Sequence, residues 1–305
     1  MDLPSFDRPI ITDSGIKRTI VPALEKILGW QLPVLDHGFI RVIDYMGDDY
    51  AIENAARLSY GEGTRAVTQT QGLLNYLMGH AHTSPFEMCE LKLHVKLPIF
   101  VMRQWVRHRM ASLNEYSARY SVLSNEFYLP QLIDLQPQSK DNKQGRNGEM
   151  DLNLAVDTRQ KIDTHSQMSY SLYKLLISDE VDLARELARM GLPVNFYTEM
   201  YWKIDLHNLF HFLLLRADSH AQKEIRVYAE LMELIVQGWV PMAFSAYLAY
   251  QKNAMRFSAY ELGALRYAIT SATAEELASE DPAPWATKLS KREWAAFTKK
   301  IGQII

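Results

Sequence analysis

The chain has 305 residues, 48% of them hydrophobic, enough to bury a large core in one domain or in two closely joined ones. Lysines and arginines number 33 against 36 acids, and the net charge of -3 excludes a protein that coats nucleic acid through bulk positive field, leaving a small anion as the expected partner. The one cysteine, Cys89, excludes an internal disulfide and a zinc site built from several thiolates.

The start, Met1 to Asp7, carries acid and proline where a secretory segment would be basic and then apolar. Even Leu213-Leu214-Leu215 is cut off at Arg216, so the reading is a cytoplasmic protein with no membrane partner. Residues 1 to about 33 mix prolines with an amphipathic piece over 20–28 and read as an extension packed on the body. A strand over 38–45 leads to Gly47-Asp48-Asp49, whose acids cap a helix over 50–59, broken by Gly61-Glu62-Gly63. Thr68 or Thr70 caps a helix to about Ala81.

Residues 88–96 alternate with a period of two, which puts Cys89, Leu91, Leu93 and Val95 on one face of a strand. Pro98 suits the first turn of a helix carrying Arg103 and Arg107 at i and i+4, with Gln104 and His108 alongside. The polar, glycine-bearing stretch 136–149 reads as a mobile surface loop. Helices over 154–177 and 180–190 stop at Gly191-Leu192-Pro193, and 194–204 alternates again as a strand. Asp205 N-caps a helix through Arg216, another spans 220–236 to Gly238, and the tail is helical, with capping boxes Ser258/Glu261 and Ser290/Glu293.

Chemistry concentrates in Arg107-His108-Arg109-Met110-Ala111-Ser112-Leu113-Asn114-Glu115-Tyr116-Ser117-Ala118-Arg119-Tyr120. Guanidiniums grip phosphate or carboxylate bidentately, and only one acid here, Glu115, is available to pair them. The bland alternative is a solvated charged helix face. An unneutralised cluster is costly without an anionic ligand, so the stretch reads as a nucleotide cradle. His207 and His211, at i and i+4 with Asp218 beyond, raise a metal-dependent hydrolase as one rival, but the glutamate of a zinc hydrolase motif is missing. An RNA-binding module is the other rival, disfavoured by the net acidity. Cys89, alternating on a strand with no base beside it, reads as a buried small residue and not as a nucleophile. No base adjoins Ser117 either, and it reads as a hydrogen-bond partner of the nucleotide.

Arg-His-Arg, seven residues, then Ser117 resembles the defining motif of the flavin-dependent thymidylate synthases, and the flanking Arg103-Gln104-Trp105 and Asn114 to Ser121 continue the pattern. His80-Ala81-His82-Thr83-Ser84-Pro85-Phe86-Glu87 resembles a second block of that family, although His82 on its own would pass for a turn histidine. Leu215 to Arg226 resembles a third, and Arg189 a further nucleotide-binding arginine. The resemblance implies an α+β fold, a small antiparallel sheet flanked by helices with a longer helical arm. It also implies a catalytic domain over 36–245 between extensions 1–35 and 246–305, and a homotetramer whose active sites form between subunits.

The activity implied is reductive methylation of deoxyuridylate (dUMP) to thymidylate, with methylenetetrahydrofolate as carbon donor and NADPH as reductant through FAD. By the same resemblance Arg216, Ser117 and His82 belong to the catalytic machinery, and no metal is implied. Gln104, Arg107, Glu115, Tyr116, Ser117, Ala118, Arg119, Arg189 and Arg216 would hold the nucleotide. Ser59, Ser84, Glu87, Arg107, His108, Arg109, Glu115, Asp205, His207 and His211 would face FAD. Some members carry Asn, Arg and Asn where this chain has Asp205, His207 and His211.

Overall fold

A computed structural model describes residues 19–58, 70–140, 143, 145–258 and 260. Five strands, β1 (Leu32–Val34), β2 (Gly38–Met46), β3 (Glu90–Pro98), β4 (Ser112–Glu115) and β5 (Tyr197–Asp205), form one antiparallel sheet in the order β1-β2-β3-β5-β4. Along β3 and the residue before it the expected alternation holds: Cys89, Leu91, Leu93 and Val95 are each 0% exposed and face the core, beside Met200, Trp202 and Ile204 of β5. The opposite face is polar because the register sets Lys92 against Lys203, His94 against Tyr201 and Lys96 against Glu199. At the β1–β2 turn the chain passes so close to Tyr228 that a Cβ on Gly38 would lie 2.1 Å from its hydroxyl.

Helices cover the apolar face: α1 (Pro22–Glu25), α2 (Asp49–Leu58), α3 (Thr70–Gly79), α4 (Ser84–Glu87), α5 (Ile99–Trp105), α8 (Leu206–Arg216), α9 (Lys223–Trp239) and α10 (Pro241–Tyr247). The arm is α6 (Leu152–Leu176), docked with α7 (Arg185–Ala188) on a second, small cluster of Ala118, Leu123, Phe127, Tyr173, Ala188 and Phe196. In the segment before residue 36, β1 pairs with β2 and Leu24 is 0% exposed in the main core. No helix among the described residues is long and apolar enough to cross a membrane.

Several boundaries differ from the sequence reading. The helix after Pro98 ends at Trp105, so Arg107 sits in the following turn: Trp105 is buried against Trp202 and Phe212 at ring distances of 5.2 and 4.7 Å, and the chain turns there toward β4. The helix expected over 180–190 shrinks to α7 and a 3-10 turn, Arg189–Gly191, because Asp182 takes a positive φ and the chain doubles back through Leu183 N–H to Leu176 O. Helix α9 starts at Lys223, since the Asp218 carboxylate caps His220 N–H at 2.7 Å, and it runs through Gly238 to Trp239.

Instead of running free, the stretch 136–149 is tied down where it is described. Gln138 bridges to Arg146, and Arg146 Nη1 donates to Glu224 at 2.9 Å. Strand β4 was not foreseen. Ser59, Thr68, the Gly61-Glu62-Gly63 break, Glu261 and the Ser290/Glu293 box lie outside the described residues.

Candidate active site

The turn after α5 and the outward face of α8 enclose a cleft of ≈ 520 Å³ lined by Arg107, His108, Arg109, Met110, Ile204, Asn208, His211, Leu215 and Arg216. Helical spacing explains a third of this lining: Asn208, His211 and Leu215 follow one another at i+3 and i+4 and share a face. Asp205 starts that helix as expected, its Oδ1 accepting from Asn208 N–H at 2.9 Å and its Oδ2 from Asn208 Nδ2 at 2.8 Å. Its carboxylate is thus engaged with Asn208, which lines the cleft and which the sequence reading missed. The one available signal was the cap spacing, three residues on from Asp205.

Arg216, at the end of α8, donates from Nε to His108 Nε2 at 3.0 Å and from Nη2 to the Gln104 carbonyl oxygen at 3.3 Å. Burial, then the charge on Arg216, then His211 push His108 down to about 4. The imidazole is therefore neutral at physiological pH and accepts at Nε2, which leaves its proton on Nδ1. Burial and the neighbouring Arg107 also lower the Arg216 pKa, but a guanidinium stays charged at any physiological pH. Among the described residues no carboxylate lines the cleft, and Arg107, Arg109 and Arg216 form no ion pair. The result is concentrated positive charge held by neutral partners, a setting that favours a bound anion.

The rest of the fourteen-residue stretch lies elsewhere. Strand β4 carries it along the sheet edge, so Glu115 is about 10 Å from Ser112. Glu115 accepts from Thr198 Oγ1 at 2.8 Å, Ser117 Oγ accepts from Arg119 N–H at 3.3 Å, and Arg119 pairs with Glu186 at 3.1 Å in the open. Tyr116 is exposed, Ala118 is buried in the small cluster under the arm, and Arg189 opens the turn after α7. In a single chain, therefore, Gln104, Arg107 and Arg216 come together while Glu115 to Arg119 and Arg189 do not join that cleft.

Of the residues expected to face FAD, Arg107, His108, Arg109 and His211 line the cleft, and His207 does not. His82 is exposed after α3, its ring 5.9 Å from Tyr76 and 6.4 Å from His80. Ser84 and Glu87 bound α4, which packs on α8 through Phe86 and Phe210 at 6.4 Å. Ser59 lies outside the described residues. Cys89 is buried, and burial, then Asp48 and Asp49, push its thiol up to about 12, so it is no nucleophile at neutral pH. Among the described residues no three His, Cys, Asp or Glu side chains gather as a metal would require.

Comparison with known proteins gives this geometry its context. The family model "Thymidylate synthase complementing protein" matches residues 41–242. A flavin-dependent thymidylate synthase of Ruegeria pomeroyi is 52% identical over 289 residues, 94% of this chain and 93% of that protein. One from Rickettsia bellii is 50% identical over 298 residues, 94% of this chain and 99% of its own length. Among solved structures, a UMP/dUMP methylase, PolB, from Streptomyces cacaoi bound with 5-Br UMP superposes with a TM-score of 0.65 at 31% identity, over 72% of this chain and 96% of that one. The family model spans the whole lining of the cleft and strands β3, β4 and β5, and the chain belongs to the flavin-dependent thymidylate synthase family.

Proposed function

We propose that the protein is a flavin-dependent thymidylate synthase that methylates dUMP to thymidylate, with FAD as its flavin, methylenetetrahydrofolate as carbon donor and NADPH as reductant. The observation that carries the siting is the cleft around Arg216: three guanidiniums with no carboxylate partner among the described residues, one of them steered by a neutral imidazole. Those donors fit the phosphates of a flavin dinucleotide and of a nucleotide beside it. Bound there, FAD would supply hydride chemistry, which the protein side chains lack.

The side chains bind, orient and stabilise charge. Gln104, Arg107 and Arg216 hold the nucleotide. Arg107, His108, Arg109, Asn208 and His211 offer donors to the flavin dinucleotide, with Ser84 and Glu87 on the adjacent α4. Arg216, fixed by His108 and by the Gln104 carbonyl oxygen, presents a cation to the uracil carbonyls as the ring gains negative charge. Because Glu115 to Arg119 and Arg189 lie off this cleft, they complete the site of a second copy in a homotetramer, where Ser117 serves as a hydrogen-bond partner of the nucleotide.

The metal-hydrolase and RNA-binding alternatives give way to this reading on the family assignment. The test is Arg216→Ala. It is expected to retain flavin while losing about a hundredfold or more in kcat. Near-normal turnover in that variant removes the assignment.

A further inference from the structure

Gln104 is held from outside the cleft by a chain of side chains. Its Nε2 donates to Gln222 Oε1 at 2.5 Å, and Gln222 Nε2 donates to Glu224 Oε2 at 2.8 Å. Glu224 Oε1 in turn accepts from Arg146 Nη1 at 2.9 Å and from the Tyr128 hydroxyl at 3.0 Å. Glu224 is 1% exposed and sits in the first turn of α9, where helix amides favour negative charge. Burial raises its pKa, but the donors from Gln222 and Arg146 outweigh that, and the pKa lies below the usual glutamate value. The carboxylate is therefore ionised at neutral pH.

An ionised carboxylate only accepts, and this fixes the direction of the whole chain. Gln222 must turn its amide NH₂ inward to Glu224 and its oxygen outward. Gln104 must then turn its own NH₂ toward Gln222, which leaves its Oε1 as an acceptor. No protein donor meets that oxygen among the described residues. The backbone of Gln104 is anchored as well, through the Arg216 hydrogen bond to its carbonyl oxygen.

We infer that Glu224 is a positioning residue that acts through Gln222 to hold Gln104 with its Oε1 toward the nucleotide. That position accepts a hydrogen bond from the nucleoside, either the ring imide N–H or a sugar hydroxyl, and it does not bind the phosphate. The inference rests on the siting of dUMP beside Gln104 proposed above.

The test measures dUMP binding, flavin content and steady-state kinetics for Gln222→Leu and Glu224→Gln in the full-length protein. Gln222→Leu is expected to weaken dUMP binding about tenfold, as a rise in KM with kcat at saturation and flavin content unchanged. Glu224→Gln, which lets the amide chain run in either direction, should weaken binding about threefold. The Gln222→Leu penalty should vanish against one of two analogues, 3-methyl-dUMP or 3′-deoxy-dUMP, and the one against which it vanishes identifies the donor. Unchanged dUMP affinity in Gln222→Leu, loss of flavin together with affinity, or an undiminished penalty against both analogues overturns the inference. Should Glu224→Gln fail to fold, Gln222→Leu decides alone. Arg107→Ala serves as the reference: if it also binds dUMP normally, the siting itself has failed, and the relay falls with it.

Discussion

Arg216 keeps its direction because His108 stays neutral. A protonated imidazole would turn a second donor toward the guanidinium and break the 3.0 Å bond between them. Folding lowers the His108 pKa from 6.5 to about 4 by burial first and then by Arg216 and His211. A lowered pKa on a basic group means that its contribution to stability is complete above pH 6.5 and is lost as the pH falls from 6.5 through about 4. Thermal melting of the wild type should therefore fall more steeply across that window than melting of His108→Gln, whose amide accepts from Arg216 without titrating. Parallel profiles would show that the imidazole is not held neutral. The Arg-His-Arg order is visible in the sequence. The protonation state of its histidine is not, since it depends on residues more than a hundred positions away.

Among the elements, α8 was the most legible, because Asp205 marks its start with a side chain that can only accept. Asp205→Ala should cost about 1 kcal/mol of stability. It should also free the Asn208 amide at the cleft wall, so flavin affinity is expected to drop along with the melting temperature. A lower melting temperature with flavin binding intact would confine Asp205 to capping. Strands β3 and β5 were legible because one face of each is buried and the alternation records it. Strand β4 was not, because Ser112, Leu113, Asn114 and Glu115 are all exposed on a sheet edge and carry no apolar period. The overlong helix predicted after Pro98 has the converse cause. Its spacing suited a continued helix, but the burial of Trp105 among Trp202, Phe212 and Tyr228 brings the chain round.

For the whole molecule, the arginine-rich stretch is divided, one end in the Arg216 cleft and the other beyond β4. The arm α6 also presents Met168, Leu172 and Leu175, 67%, 48% and 49% exposed, along one apolar stripe. Both features fit the proposal that copies of the chain complete each other's sites. Arg119→Ala and Arg216→Ala should each be inactive alone, yet co-expressed and purified as mixed oligomers they should recover turnover at sites built from two intact halves. Mixed oligomers that remain inactive would place all the functional groups within one chain. The sequence by itself determined the chemistry on offer, because residue types and their spacing within a motif are local properties of the chain. It also determined which strands and helices bury a face. Only the tertiary structure decided which arginines converge, that His108 is neutral, and that Glu224 orients Gln104, because convergence and desolvation arise from contacts between segments far apart in the chain.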